Sequence, residues 1–144
     1  MTDTISSTDR SKLMGRIRNK NTGPELAVRK ALHAAGFRFR LHRRDLPGRP
    51  DIVLPRLRLA IFVHGCFWHG HDCRRGKLPD DNAEFWVEKI DRNKSRDVAA
   101  QAALSQAGWT VETIWQCQLK NGLEPLIERL RRVRERRSRN LQDR

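Results

Sequence analysis

Leu59-Ala60-Ile61-Phe62-Val63 is the longest apolar run in the 144-residue sequence. Five residues are too few to cross a bilayer. As a strand the run is apolar on both faces, so it must lie at the centre of a sheet that is covered on both sides. The flanking sequence supplies the cover. Thr22-Gly23-Pro24-Glu25 has capping-box spacing, with Thr at the N-cap and Glu three residues on. The helix that follows brings Ala27, Val28, Ala31, Leu32 and Ala35 to one face before Gly36 ends it. Phe37–Leu41 alternates with period two, as a half-buried strand does. Asp45–Pro50 is a loop, Asp51–Leu54 a short strand, Pro55-Arg56 a turn and Leu57–His64 the central strand. Asp81 or Asn82 caps a long helix over Ala83–Ala107, stopped by Gly108, and Trp109–Trp115 is strand-like. Leu123–Arg137 is a basic amphipathic helix with Leu123, Leu126, Ile127, Leu130 and Val133 facing inward. With a short basic helix over Thr8–Lys20, the order α, α, β, β, β, α, β, α predicts an α/β fold: a mixed sheet with helices on both faces. The length predicts one domain over residues 1–144.

The formal net charge is +13. Arg10–Arg49 carries twelve Lys/Arg against Glu25 and Asp45, and Leu123–Arg144 adds eight Arg against four acids. Such a surface either serves solubility or meets a polyanion, and its density between Arg10 and Arg49 favours nucleic acid. Met1–Ser7 is polar and carries an Asp, unlike a signal peptide. A cytoplasmic location is expected, where Cys66, Cys73 and Cys117 are metal ligands or buried thiols rather than disulfide partners.

Between the central strand and the long helix, His64–Pro79 has no usable period. It needs a staple other than a β-ladder. Cys66-x4-His71-x-Cys73, with Cys117 some way downstream, offers thiolates and an imidazole suited to a closed tetrahedral zinc site. The competing reading is three free thiols and a solvated histidine. Pro50-Asp51 places a carboxylate at a strand start, a hard ligand for magnesium, although such a residue also caps loops. The adjacent strand ends Phe62-Val63-His64, without the carboxylate and lysine that many nucleases place there. Four of the five histidines lie between His42 and His71. If His71 binds zinc, His64 and His69 remain near Asp51, and imidazole is a suitable general base for water. Phe67-Trp68 and Trp86 beside a basic surface suit stacking on bases or wedging between them. Alternatively they pad the loop, and Trp86 joins Phe85, Val87 and Ile90 in a core.

The run Val63-His64-Gly65-Cys66-Phe67-Trp68-His69-Gly70-His71-Asp72-Cys73 resembles the signature of the very short patch repair (Vsr) endonucleases, which nick DNA at T:G mismatches. The likeness extends through Met14-Gly15-Arg16-Ile17, Lys20–Glu25, Leu46–Asp51, Glu84-Phe85-Trp86, Glu88-Lys89-Ile90, Asn93, Arg96-Asp97, Gly108-Trp109 and Trp115-Gln116-Cys117. The family's run is often richer in histidine; here positions 70 and 72 are Gly and Asp. The resemblance implies a restriction-endonuclease-like fold with a structural zinc held by Cys66, His71, Cys73 and Cys117. It implies magnesium on Asp51 and the Val63 backbone carbonyl, His69 as general base, and His64 and Glu25 behind them. Phe67, Trp68 and Trp86 would wedge into DNA from the major groove, and the basic segment 1–20, near Met14 and Ile17, would cross the minor groove. The Arg-rich segment 123–144 matches no motif of the family and would be plain helix or an extra backbone contact. The implied reaction is magnesium-assisted hydrolysis of one strand 5′ to a thymine produced by deamination of 5-methylcytosine. A bacterial monomer acting on duplex DNA, with a MutL-type repair partner, would follow. Two other functions fit the residues alone: a nuclease of this fold with a different DNA target, and a non-catalytic zinc-stapled DNA-binding module.

Overall fold

The computed structural model describes residues 22 to 142. The segment Thr8–Lys20, with Met14 and Ile17, lies outside the described residues. Four strands form one mixed sheet in the order β1 (Arg40–Leu41), β2 (Ile52–Leu54), β3 (Leu59–His64) and β4 (Thr110–Trp115). β1–β2 and β2–β3 pair antiparallel, and β3–β4 pair parallel. A parallel pair needs a long crossover, and helix α2 (Ala83–Gln106) provides it. Helices α1 (Gly23–Ala34) and α3 (Leu119–Gln142) complete the fold.

The apolar run behaves as its composition requires. β3 is central, and every residue in it except Val63 is buried. Alternation sends Leu59 and Ile61 to one face, where they meet Val28 and Leu32 of α1, Ile52 and Leu54 of β2, Ile114 of β4, and Leu126, Ile127 and Leu130 of α3. Ala60 and Phe62 face the other way, onto Leu104 of α2 and the half-buried Leu46, Trp109 and Val111. The result is a sheet with α1 and α3 on one side and α2 on the other. Among the described residues, no helix is long and apolar enough to cross a membrane.

Three elements differ from the sequence expectation. The strand expected over Phe37–Leu41 pairs only at Arg40 and Leu41, because β2 runs out at Pro55, which has no N–H to continue the ladder. Asn82 does not cap α2 with its side chain; it takes a left-handed backbone (φ 57°), and its carbonyl accepts the Trp86 N–H. The last helix begins at Leu119, directly after a 3-10 turn over Gln116–Gln118, and carries Pro125 inside its first turns. The bond lost at Pro125 falls on Asn121, an exposed residue whose carbonyl water can serve.

The Leu46–Pro50 loop lies close against the rest of the fold. Gly48 has φ +73°, and a Cβ there would stand 2.5 Å from the Ala100 Cβ on α2 and 3.2 Å from the Phe62 ring. This contact fixes the approach of Pro50-Asp51 to the sheet. Gly48→Ala combines a left-handed backbone with overpacking, so it should destabilise the fold by about 2–3 kcal/mol. A urea melt of the variant measures this; an unchanged midpoint would show that the loop is free to shift.

Candidate active site and metal centre

Asp51 immediately precedes β2, at the end of the sheet where β3 and β4 also finish. Its Oδ2 accepts the Val63 N–H at 2.7 Å. A side chain thus takes the place that a paired backbone carbonyl would fill. In an extended strand the N–H and C=O of one residue point to the same edge, so the Val63 carbonyl is presented on the Asp51 side as well. Burial pushes the Asp51 carboxyl up to about 6, against the pull of the Val63 N–H.

Asp51 opens into a cleft of about 640 Å³ that is also lined by His42, Val63, His64, His69, Asn93 and Asp97, with the guanidinium-bearing Arg44, Arg49 and Arg96. In this cleft His69 Nδ1 lies 2.6 Å from Asp97 Oδ2. An ionised carboxylate there accepts a hydrogen bond from Nδ1–H, which leaves Nε2 as the nitrogen able to accept a proton. His64 stacks on His69, with ring centroids 3.7 Å apart and planes within 4°. Burial, with His69 adding to it, lowers His64 to about 4, so its ring is neutral at neutral pH. The His64 Nδ1 is buried with no hydrogen-bond partner among the described residues.

Glu25 is 2% exposed on the inner side of α1. The capping box is only half made. Thr22 Oγ1 accepts the Glu25 N–H at 3.3 Å, but the Glu25 carboxylate turns inward. Its Oε1 meets Arg29 at 2.6 Å and His42 Nε2 at 2.5 Å. Glu25, His42 and Asp51 each bring one ligand atom within 4.8 Å of the others.

Behind the histidines, Cys66, His71, Cys73 and Cys117 also bring their ligand atoms within 4.8 Å of one another. Neighbouring donors around a tetrahedral zinc stand roughly 3.5–3.8 Å apart, given metal bonds of 2.0–2.3 Å. Cys117 Sγ and His71 Nδ1 are 3.4 Å apart, and the Cys117 N–H donates to Cys66 Sγ at 3.4 Å. Burial raises the Cys66 thiol, while its hydrogen bond with His71 lowers Cys73. The loop closes tightly enough that a Cβ on Gly76 would reach 2.0 Å from the His71 carbonyl oxygen. Trp115 stands between the two clusters. It stacks on His71 at 4.2 Å and meets His64 edge-on at 5.0 Å.

Phe67, Trp68 and Trp86 form a third cluster, with ring centroids 5.0 to 5.9 Å apart. All three are half-buried. The core expected around Trp86 does not form: Phe85 is 53% and Val87 48% exposed, and only Ile90 is buried. Lys89 lies over Trp68 at 5.7 Å, and Asn93 Nδ2 donates to the Trp68 carbonyl, which ties the aromatic loop to α2.

The structure therefore brings Asp51, Val63, His64, His69 and Glu25 to one end of the sheet, and the three cysteines with His71 to a neighbouring cluster. Met14 and Ile17 lie outside the described residues. Sequence reasoning did not single out Asp97 or His42 as members of the site. Asp97 arrives from the middle of α2, and His42 arrives through the register of β1 on β2; the Arg96-Asp97 block of the family likeness contained Asp97 without giving it a role, and His42 carries no local signal.

A model of the DNA mismatch endonuclease Vsr matches residues 2–75. The type II nicking enzyme V.XorIIP of Xanthomonas oryzae pv. oryzae is 54% identical over 133 residues, 92% of this chain and 97% of the relative. The type II nicking enzyme V.NmeAIP of Neisseria meningitidis is 44% identical over 121 residues, 84% of this chain and 86% of the relative. The DNA mismatch endonuclease Vsr of Escherichia coli is 41% identical over 128 residues, 89% of this chain and 81% of the relative. Matched by the family model over half its length and by these relatives over most of it, the chain belongs to the Vsr family of DNA mismatch endonucleases.

Proposed function

We propose that this chain nicks one strand of duplex DNA 5′ to the thymine of a T:G mismatch, the lesion left by deaminated 5-methylcytosine. The observation that carries this reading is the convergence of Asp51 and the His69–Asp97 pair in one arginine-lined cleft, beside a half-buried aromatic cluster. The donor set at Asp51 suits magnesium, which prefers oxygen. Asp51, Glu25 and the Val63 carbonyl supply oxygens, and the orphaned His64 Nδ1 supplies a buried polar atom for the water such an ion keeps. When bound, magnesium supplies positive charge to the phosphoryl oxygens. The chain's own groups do the rest. Arg44, Arg49 and Arg96 hold the phosphates in the cleft. His69 Nε2 takes the proton of the attacking water as its oxygen bonds to phosphorus and the opposite P–O bond breaks. Asp97 steadies the imidazolium that forms. Zinc on Cys66, His71, Cys73 and Cys117 would have no open position and so a structural role.

Phe67, Trp68 and Trp86 are the groups proposed to enter the duplex at the mismatch, and the basic segment holding Met14 and Ile17 to contact the DNA beside it. A monomer working on bacterial DNA in the cytoplasm, with a MutL-type protein downstream, completes the reading. Similarity to type II nicking enzymes favours a second reading, in which the same site nicks a differently defined target.

The deciding experiment is a magnesium-dependent nicking assay on T:G, fully paired and other mismatched duplexes. Nicking of the T:G duplex alone, abolished in Asp51→Ala, is the expected result. Equal nicking of paired duplex would leave the second reading in place, and undiminished nicking by Asp51→Ala would remove Asp51 from the chemistry.

Asp51 also makes stability depend on pH. Its folded carboxyl titrates near 6 rather than near 4, so the fold binds the extra proton and gains stability at low pH. That contribution is lost as pH rises from about 4 through 6. Without added magnesium, Asp51→Asn should therefore be more stable than the parent at pH 7.5, by about 1–3 kcal/mol, and the gain should vanish near pH 4. Urea melts at the two pH values measure this, and equal stability at pH 7.5 would contradict it.

For recognition, Trp68→Ala should cut the preference for T:G over paired duplex by about tenfold, on the order of the loss of one base-stacking contact. General affinity should fall less. Competition binding with the two duplexes separates these effects; equal losses would make Trp68 a packing residue only.

A further inference from the structure

His42 was assigned no role by its sequence, yet it lines the cleft and touches both the Glu25 carboxylate and the backbone of Asp51. Its side chain meets Glu25, with Nε2 2.5 Å from Oε1 in a close contact that lacks the alignment of a hydrogen bond. Its backbone N–H donates to the Asp51 carbonyl at 3.1 Å, extending the β1–β2 ladder one step beyond Leu41↔Ile52. It adopts a left-handed backbone, φ +50°, a region that non-glycine residues seldom occupy and that marks positions held by their surroundings.

The two contacts on Glu25 are not equivalent. Arg29 lies four residues along the same helix, so its pair with Glu25 does not itself join α1 to the sheet. His42 belongs to the sheet and is bonded to Asp51. It therefore links the Glu25 carboxylate of α1 to the backbone of Asp51, and the ligand atoms of Glu25, His42 and Asp51 all lie within 4.8 Å of one another. Groups that orient a ligand carboxylate in this way typically change metal affinity by about 10–100-fold.

We propose that His42 is a positioning residue of the magnesium site, holding the Glu25 carboxylate in place beside Asp51 so that both face one divalent ion. This rests on the proposed placement of magnesium at Asp51.

The test is Mn2+ binding to the full chain, purified with zinc and read by electron paramagnetic resonance, alongside the magnesium dependence of nicking. Asn tolerates a left-handed backbone but is too short to reach Glu25, so His42→Asn removes the contact and spares the turn. His42→Gln restores a donor of nearly the right length. His42→Asn should weaken Mn2+ binding about tenfold and raise the magnesium needed for half-maximal nicking by the same factor, with the rate at saturating magnesium within about threefold of the parent. His42→Gln should bind within about threefold of the parent. Thermal melts establish that each variant is folded. Parent-like binding by His42→Asn, or a His42→Gln as weak as His42→Asn, would overturn the proposal. Asp51→Ala is the control. If it abolishes Mn2+ binding while His42→Asn does not, only the role of His42 falls. If it binds as the parent does, the ion sits elsewhere and the proposed site falls with it.

Discussion

The site depends on the parallel pairing of β3 with β4. That pairing runs in register from Leu59↔Thr110 to His64↔Trp115, and its last pair is where the chemistry starts. His64 leads into the loop that carries Cys66, His69, His71 and Cys73. Trp115 leads, two residues later, to Cys117. The ring of Trp115 fills the space between His71 and His64, so the cysteine cluster and the histidine pair share a wall. A one-residue slip in the register would turn Trp115 to the other face and separate Cys117 from its partners. The buried residues of β3 prevent such a slip, because both of its faces are committed to cores of different shape.

The sheet and helices were readable because burial leaves a period in the sequence. β3, β4, α1 and α2 lie within a few residues of where their patterns put them. The errors fall where a tertiary event overrides the pattern: the strand over Phe37–Leu41 loses its partner at Pro55 and keeps only Arg40 and Leu41, and the 3-10 turn at Gln116–Gln118 starts α3 before its amphipathic stretch. The cysteine cluster was readable for a different reason, since those residue types have few other uses at such density. The partners of the cleft were not readable. Asp97 is one of several acids on a long exposed helix, and only the docking of α2 singles it out for His69. His42 is one histidine in a basic stretch until a two-residue strand pairs it with Asp51. Trp86 shows the reverse case, because its apolar neighbours suggested a core and yet Phe85 and Val87 face outward.

Polar burial is concentrated at one end of the molecule. Glu25 and His64 are buried beside Asp51, and the His64 Nδ1 and His42 Nε2 are buried without a hydrogen-bond partner among the described residues. Buried groups left short of partners lower stability, and they persist where something else holds them. Here the apolar layers on both faces of the sheet do so, with Ile61, Ile114 and Leu126 in the larger of the two. The fold can therefore keep a carboxyl at an unfavourable protonation balance without loosening around it.

The loop from His64 to Cys73 divides its residues among three clusters. Positions 64 and 69 face the cleft, 66, 71 and 73 join Cys117, and 67 and 68 join Trp86. Because the assignments alternate along the chain, adding or deleting one residue would displace members of all three clusters together. Exchanging one side chain disturbs a single cluster. Such a segment can diverge in composition but not in length, and the replacement that costs least is at Asp72, which belongs to none of the three; Gly70 also belongs to none, but its left-handed backbone (φ +65°) and the 2.7 Å approach of a Cβ to Ile90 restrict it.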